Sequence, residues 1–77
     1  MRKWEYLQIN VELARNKLAV SANGEPVLDI QGTSVEKELA QYLNSLGAEG
    51  WELVNADKNE YGFRNYFFKR PLEDLLA

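Results

Sequence analysis

One stretch constrains this chain more than any other: Leu43-Asn44-Ser45-Leu46-Gly47-Ala48-Glu49-Gly50-Trp51-Glu52-Leu53-Val54. Apolar residues reach it at helical spacing, through Val35, Leu39, Leu43 and Leu46, with Tyr42 beside them. They leave it in alternation, with Trp51, Leu53 and Asn55 set against Glu52, Val54 and Ala56. A period near 3.6 that gives way to a period of two, across two glycines, marks a helix running abruptly into a strand. Gly47 is placed to turn left-handed and end that helix. Gly50 allows a positive φ, or close approach of the chain to the Trp51 indole.

The flanks are strands and turns. From Trp4 to Leu13, Leu7, Ile9, Val11 and Leu13 share one face, and Trp4, Tyr6, Gln8, Asn10 and Glu12 share the other. Ala14-Arg15-Asn16 reads as a turn. Lys17–Ser21 and Glu25–Ile30 flank Ala22-Asn23-Gly24, and Asn-Gly between apolar runs is a strong hairpin signal. A two-residue turn would set Val20 opposite Val27. A three-residue loop would set Lys17 opposite Asp29 and Leu18 opposite Leu28, and matching charge and apolarity favours this second register. Pro26 donates no ladder hydrogen bond, which assigns the hairpin to a sheet edge. Thr33 with Glu36 three residues on has the spacing of a helix capping box. Glu36, Lys37, Glu38, Gln41 and Asn44 fall on the outer helix face. Asp57–Gly62 is a polar loop, Phe63–Arg70 a last strand that Pro71 stops, and the tail from Leu72 is long enough for one helical turn.

Three motifs, Lys3-Trp4-Glu5-Tyr6, the glycine-flanked junction ending in Trp51, and Tyr66-Phe67-Phe68-Lys69-Arg70-Pro71, frame the chain from Lys3 to Pro71. Together they resemble the small bacterial domain-of-unknown-function family 4177. The resemblance implies a small α+β domain of bacterial or phage origin. It brings no activity or ligand, and at Gly47, Gly50 and Trp51 it speaks for structure.

The element order β-β-β-α-β-β implies an α+β fold, a five-stranded antiparallel sheet with one helix packed on one face. The simplest topology is a meander of three strands, a right-handed crossover through the helix, and a final hairpin whose last strand pairs with the first. That gives the spatial order 4-5-1-2-3. At 77 residues there is room for one domain, with a core over 3–71 and a tail over 72–77. A helix covers about 10–12 Å of width, and five strands at ~4.8 Å span about twice that. One sheet face is left open.

On that face the first strand places Trp4 and Tyr6. In the last strand, Phe63, Asn65, Phe67 and Lys69 oppose Arg64, Tyr66, Phe68 and Arg70, and the pleat alone does not say which set points inward. Pairing the last strand with the first gathers Arg2, Lys3, Lys69 and Arg70 at one corner beside aromatics. The candidate interface or ligand residues are therefore Trp4, Tyr6, Tyr66, Phe68, Arg2, Lys3, Lys69 and Arg70. An apolar sheet face of several hundred Å² implies self-association. The alternative is a small anionic, nucleotide-like ligand held by stacking and charge at the basic-aromatic corner. A third use is docking of a different protein by this face or by the Leu72-Leu75-Leu76 tail.

Catalysis has little to work with. The chain has neither histidine nor cysteine, so the commonest general base and the best nucleophile are missing. Glu49 and Glu52 straddle the junction but read as surface charges. Asp57, Asn59 and Glu60 lack the spacing of a calcium loop. The segment Gly47–Gly50 follows a helix rather than preceding one, unlike a phosphate loop. The expectation is a non-enzyme with no cofactor and no metal. The net charge of −3 argues against general nucleic-acid binding. No window has the ~20 apolar residues of a membrane span. The opening residues Met1–Trp4 lack the apolar run of a secretion signal. The lack of cysteine suits a reducing cytoplasm.

Overall fold

The structure is a computed structural model that describes residues 3–32 and 34–72. Its elements are β1 (Trp4–Ala14), β2 (Lys17–Ala22), β3 (Glu25–Gln31), α1 (Val35–Ala48), β4 (Glu52–Lys58) and β5 (Phe63–Pro71). All strand pairs are antiparallel, and the sheet order is β3-β2-β1-β5-β4. This is the α+β architecture and strand order that the alternation implied.

Residues directly across a ladder share a face, so the core follows from register. β1 pairs β2 with Val11 opposite Val20 and Leu13 opposite Leu18. It pairs β5 with Leu7 opposite Phe68 and Ile9 opposite Tyr66. These side chains meet Val35, Leu39 and Leu46 of α1, and the buried cluster is Ile9, Val11, Leu18, Val20, Phe68 and those three helical residues.

The β2–β3 hairpin departs from both expected registers. Ala22 pairs with Glu25 around a two-residue Asn23-Gly24 turn, whose φ values of 49° and 87° are both left-handed. The register then shifts, so that Ser21 meets Pro26 while Val20 meets Leu28. The extra residue is Val27. The unshifted turn would put Asp29 opposite Leu18, beneath the helix. The bulge instead brings Leu28 and Ile30 to the core face and leaves Asp29 opposite Ala19 on the other.

Both helix ends also differ. Ser34 occupies the N-cap position with no side-chain cap bond, and Thr33 lies outside the described residues. At the other end Gly47 is helical, and the left-handed residue is Gly50, at φ 93°. Gly50 N–H donates to Gly47 O at 3.0 Å and Trp51 N–H to Leu46 O at 3.1 Å, the paired bonds of a Schellman ending. The reason lies in where Trp51 must land. With Gly50 as the turning residue, Trp51 becomes the next position, whose apolar contact is with the last helical turn, and it packs against the core.

α1 does not reach the far edge of the sheet. All seven residues of β4 are exposed, on both faces. The radius of gyration is 13.9 Å, against about 11.5 Å for a compact chain of this length. Among the described residues no helix is long and apolar enough to cross a membrane.

Candidate functional site

The face turned away from α1 is a set of cross-strand rows. Trp4 lies opposite Pro71 and Tyr6 opposite Lys69, which in turn faces Glu52. The next row joins Gln8, Phe67 and Asn55. Asn10 then lies between Asn65 and Ser21, with Pro26 beyond, and Glu12 between Phe63 and Ala19, with Asp29 beyond. Tyr6 is 69% exposed and Phe63 46%.

The two ends of this face differ in shape. At one end the Lys69 ammonium sits 4.3 Å from the centre of the Trp4 ring, a contact worth about 0.5–1 kcal/mol where solvent reaches it. At the other, the small side chains Ala19 and Ser21 floor a shallow trough of about 430 Å³, walled by Phe63 and Pro26 and edged by Glu12 and Asp29.

The expected aromatic set is only half on this face. Trp4 and Tyr6 are there, but Phe68 is 5% exposed and belongs to the core. Tyr66 lies opposite Ile9 on the helix side, in a groove shared with Glu36, Leu39 and Arg64. Phe63 and Phe67 take their place on the open face. The ladder is the cause: odd positions of β1 meet even positions of β5, so once Ile9 points inward Tyr66 and Phe68 must follow. Three consecutive aromatics carry no phase of their own. The signal that could have found Phe67 is Lys69, which shares its phase and stacks on Trp4.

The basic corner divides in the same way. Lys69 is on the open face, and Arg70, opposite Glu5, is on the other. Arg70 ion-pairs with Glu5, donates from Nη1 to the Glu49 carbonyl at 2.9 Å, and lies 4.1 Å from the centre of the Trp51 ring. Its guanidinium therefore ties β1, β5 and the helix-to-strand junction together. Lys3 is exposed ahead of β1, its carbonyl accepting from Leu72 N–H at 2.9 Å. Arg2 and the tail beyond Leu72 lie outside the described residues.

Titration is perturbed at Tyr42, whose phenol is pushed up by burial and further by the Glu49 carboxylate. Among the described residues no three His, Cys, Asp or Glu side chains gather as a metal site. Glu49 accepts through its carbonyl, and Glu52 faces Lys69. No family model matches the chain, and neither a curated protein nor a solved structure is found to match it.

Proposed function

We propose that this chain is a small non-enzymatic binding module that assembles with copies of itself through the open sheet face. The observation that carries this reading is a set of large side chains, Trp4 and Tyr6 of β1 and Phe63 and Phe67 of β5, on a face with no second layer among the described residues. The amount of surface agrees. The accessible area is 5892 Å², against about 4800 Å² for a monomer of this mass. The excess of about 1100 Å² is more than the ~800 Å² that one partner contributes to a standard interface, so the chain has surface enough for one. A small chain gains in assembly the burial that its own core does not supply. The same reading has the module working in the cytoplasm, where a chain without cysteine loses nothing to the reducing environment.

Sedimentation equilibrium at micromolar concentration tests this, with native mass spectrometry reporting subunit number and any retained ligand. A dimer or larger species is expected. A monomer mass of 8.9 kDa across that range would sink the proposal. Among the described strand residues, the anionic-ligand alternative has two cations on the open face, Lys69 and Lys17, which sit at opposite ends of it, because Arg70 is committed to Glu5 and Trp51 on the other face.

A further inference from the structure

The open face is complementary to itself when reversed end for end. Its Trp4–Tyr6 end is bulky and carries Lys69. Its Ala19–Ser21 end is concave and edged by Glu12 and Asp29. Between them, Gln8 and Phe67 form the middle row. We infer that two copies pack face to face about a two-fold axis lying across the strands at that middle row. This rests on the reading that the open face is a self-association surface, and adds which end meets which.

A two-fold axis there returns each row to the row equally far on the other side. Phe67 then meets the partner's Phe67 and Gln8 the partner's Gln8. Tyr6 lies over the partner's Asn10 and the mouth of its trough, and Trp4 comes over the partner's Glu12. Lys69, held over Trp4, is thereby brought toward the same carboxylate. An isologous interface makes each of these contacts twice. Away from the Phe67 pair on the axis, large side chains (Trp4, Tyr6) come opposite smaller ones (Glu12, Asn10), as facing layers about 10 Å apart require. The alternative axis, running along β1, sets Glu12 against its own copy and leaves Lys69 without a carboxylate across the interface. In the end-for-end arrangement, Glu52 and Asp57 of β4 fall at the solvated rim, where the high dielectric of water keeps a like-charge contact weak.

The test is a charge swap. Lys69→Glu and Glu12→Lys are made separately, and the dissociation constant of each is measured by sedimentation equilibrium, with urea melts confirming that both fold. Each alone is expected to weaken the homodimer about tenfold or more, since it sets like charges together twice. Mixed in equal amounts, the two variants should form a heterodimer with close to wild-type affinity, because both contacts become attractive again. Asn10→Trp, at the mouth of the trough where the partner's Tyr6 is seated, should also weaken assembly. Equal affinity for all charge variants, or a mixture no tighter than its parts, would overturn the arrangement. The face itself would still stand as the interface if Tyr6→Ala and Phe67→Ala loosen assembly. A monomeric wild-type protein would end both ideas.

Discussion

β2 and β4 are strands of nearly equal length, six and seven residues, each in an antiparallel ladder with a long strand. Their fates are opposite. Leu18 of β2 is fully buried, and Leu53 of β4, which lies opposite the buried Phe68, is 50% exposed. β2 has a strand on either side and packs against α1, whereas β4 is an edge with no helix above it. An apolar residue on a strand becomes core only where a second layer covers it. Here a single helix has to choose which part of the sheet to cover.

The sharpest way to break this comparison is a matched pair of truncations. Leu18→Ala should cost about 2–5 kcal/mol in urea melts, from lost burial and a cavity. Leu53→Ala should cost about 0.5 kcal/mol or less, as exposed sites usually do. Comparable losses would show that β4 is covered in solution.

Next in size is Gly62, in the loop that joins the exposed edge strand to β5. It sits at φ 92°, and an added Cβ would come within 2.6 Å of the Leu13 carbonyl oxygen. Its own carbonyl accepts from Leu13 N–H at 3.0 Å. Gly62→Ala should therefore destabilise by about 2–3 kcal/mol, from strain plus the forced shift of that backbone pair. A loss below that of an ordinary surface substitution would mean that this loop is as free as β4.

The two junction glycines give a smaller and signed contrast. Gly50→Val should cost about 1–2 kcal/mol, since a branched residue is strained at positive φ. Gly47 is helical, with open space where a Cβ would go. Gly47→Ala should therefore raise stability by about 0.5–1 kcal/mol. The reverse ranking would relocate the helix end.

The smallest effect is that of pH. The Tyr42 phenol titrates higher in the folded protein than its ordinary value of 10.0, first through burial and then through Glu49. The unfolded chain releases that proton first. The stability it contributes is therefore present below about pH 10 and lost as pH rises through the folded value. Tyr42→Phe should flatten the fall of melting temperature between neutral and strongly alkaline pH. Identical pH profiles for both proteins would remove Tyr42 from that account.

Much of this was legible in the chain because local chemistry carries it. The alternation over Trp4–Leu13, the helical spacing of Val35, Leu39 and Leu46, and the Asn23-Gly24 turn each act within a few residues. The capping glycine was misread because two candidates lie three residues apart, and only the landing site of Trp51 distinguishes them. The register of β2 with β3 was misread because the bulge at Val27 answers to the helix lying over the sheet, and neither strand encodes that by itself. The aromatics of β5 were half misread for the same kind of reason. Their phase is set by β1, more than fifty residues earlier in the chain.

The sequence by itself therefore determined the elements, their order and the existence of an uncovered face. Hydrophobic period and turn chemistry are local, and one helix is narrower than five strands. Tertiary structure alone decided which side chains occupy that face. It put Phe67 there in place of Phe68, parted Lys69 from Arg70, and set a trough over Ala19 and Ser21. The physical reason is parity: a one-residue change of register moves every side chain of a strand to the opposite face, and register is fixed by partners distant in sequence.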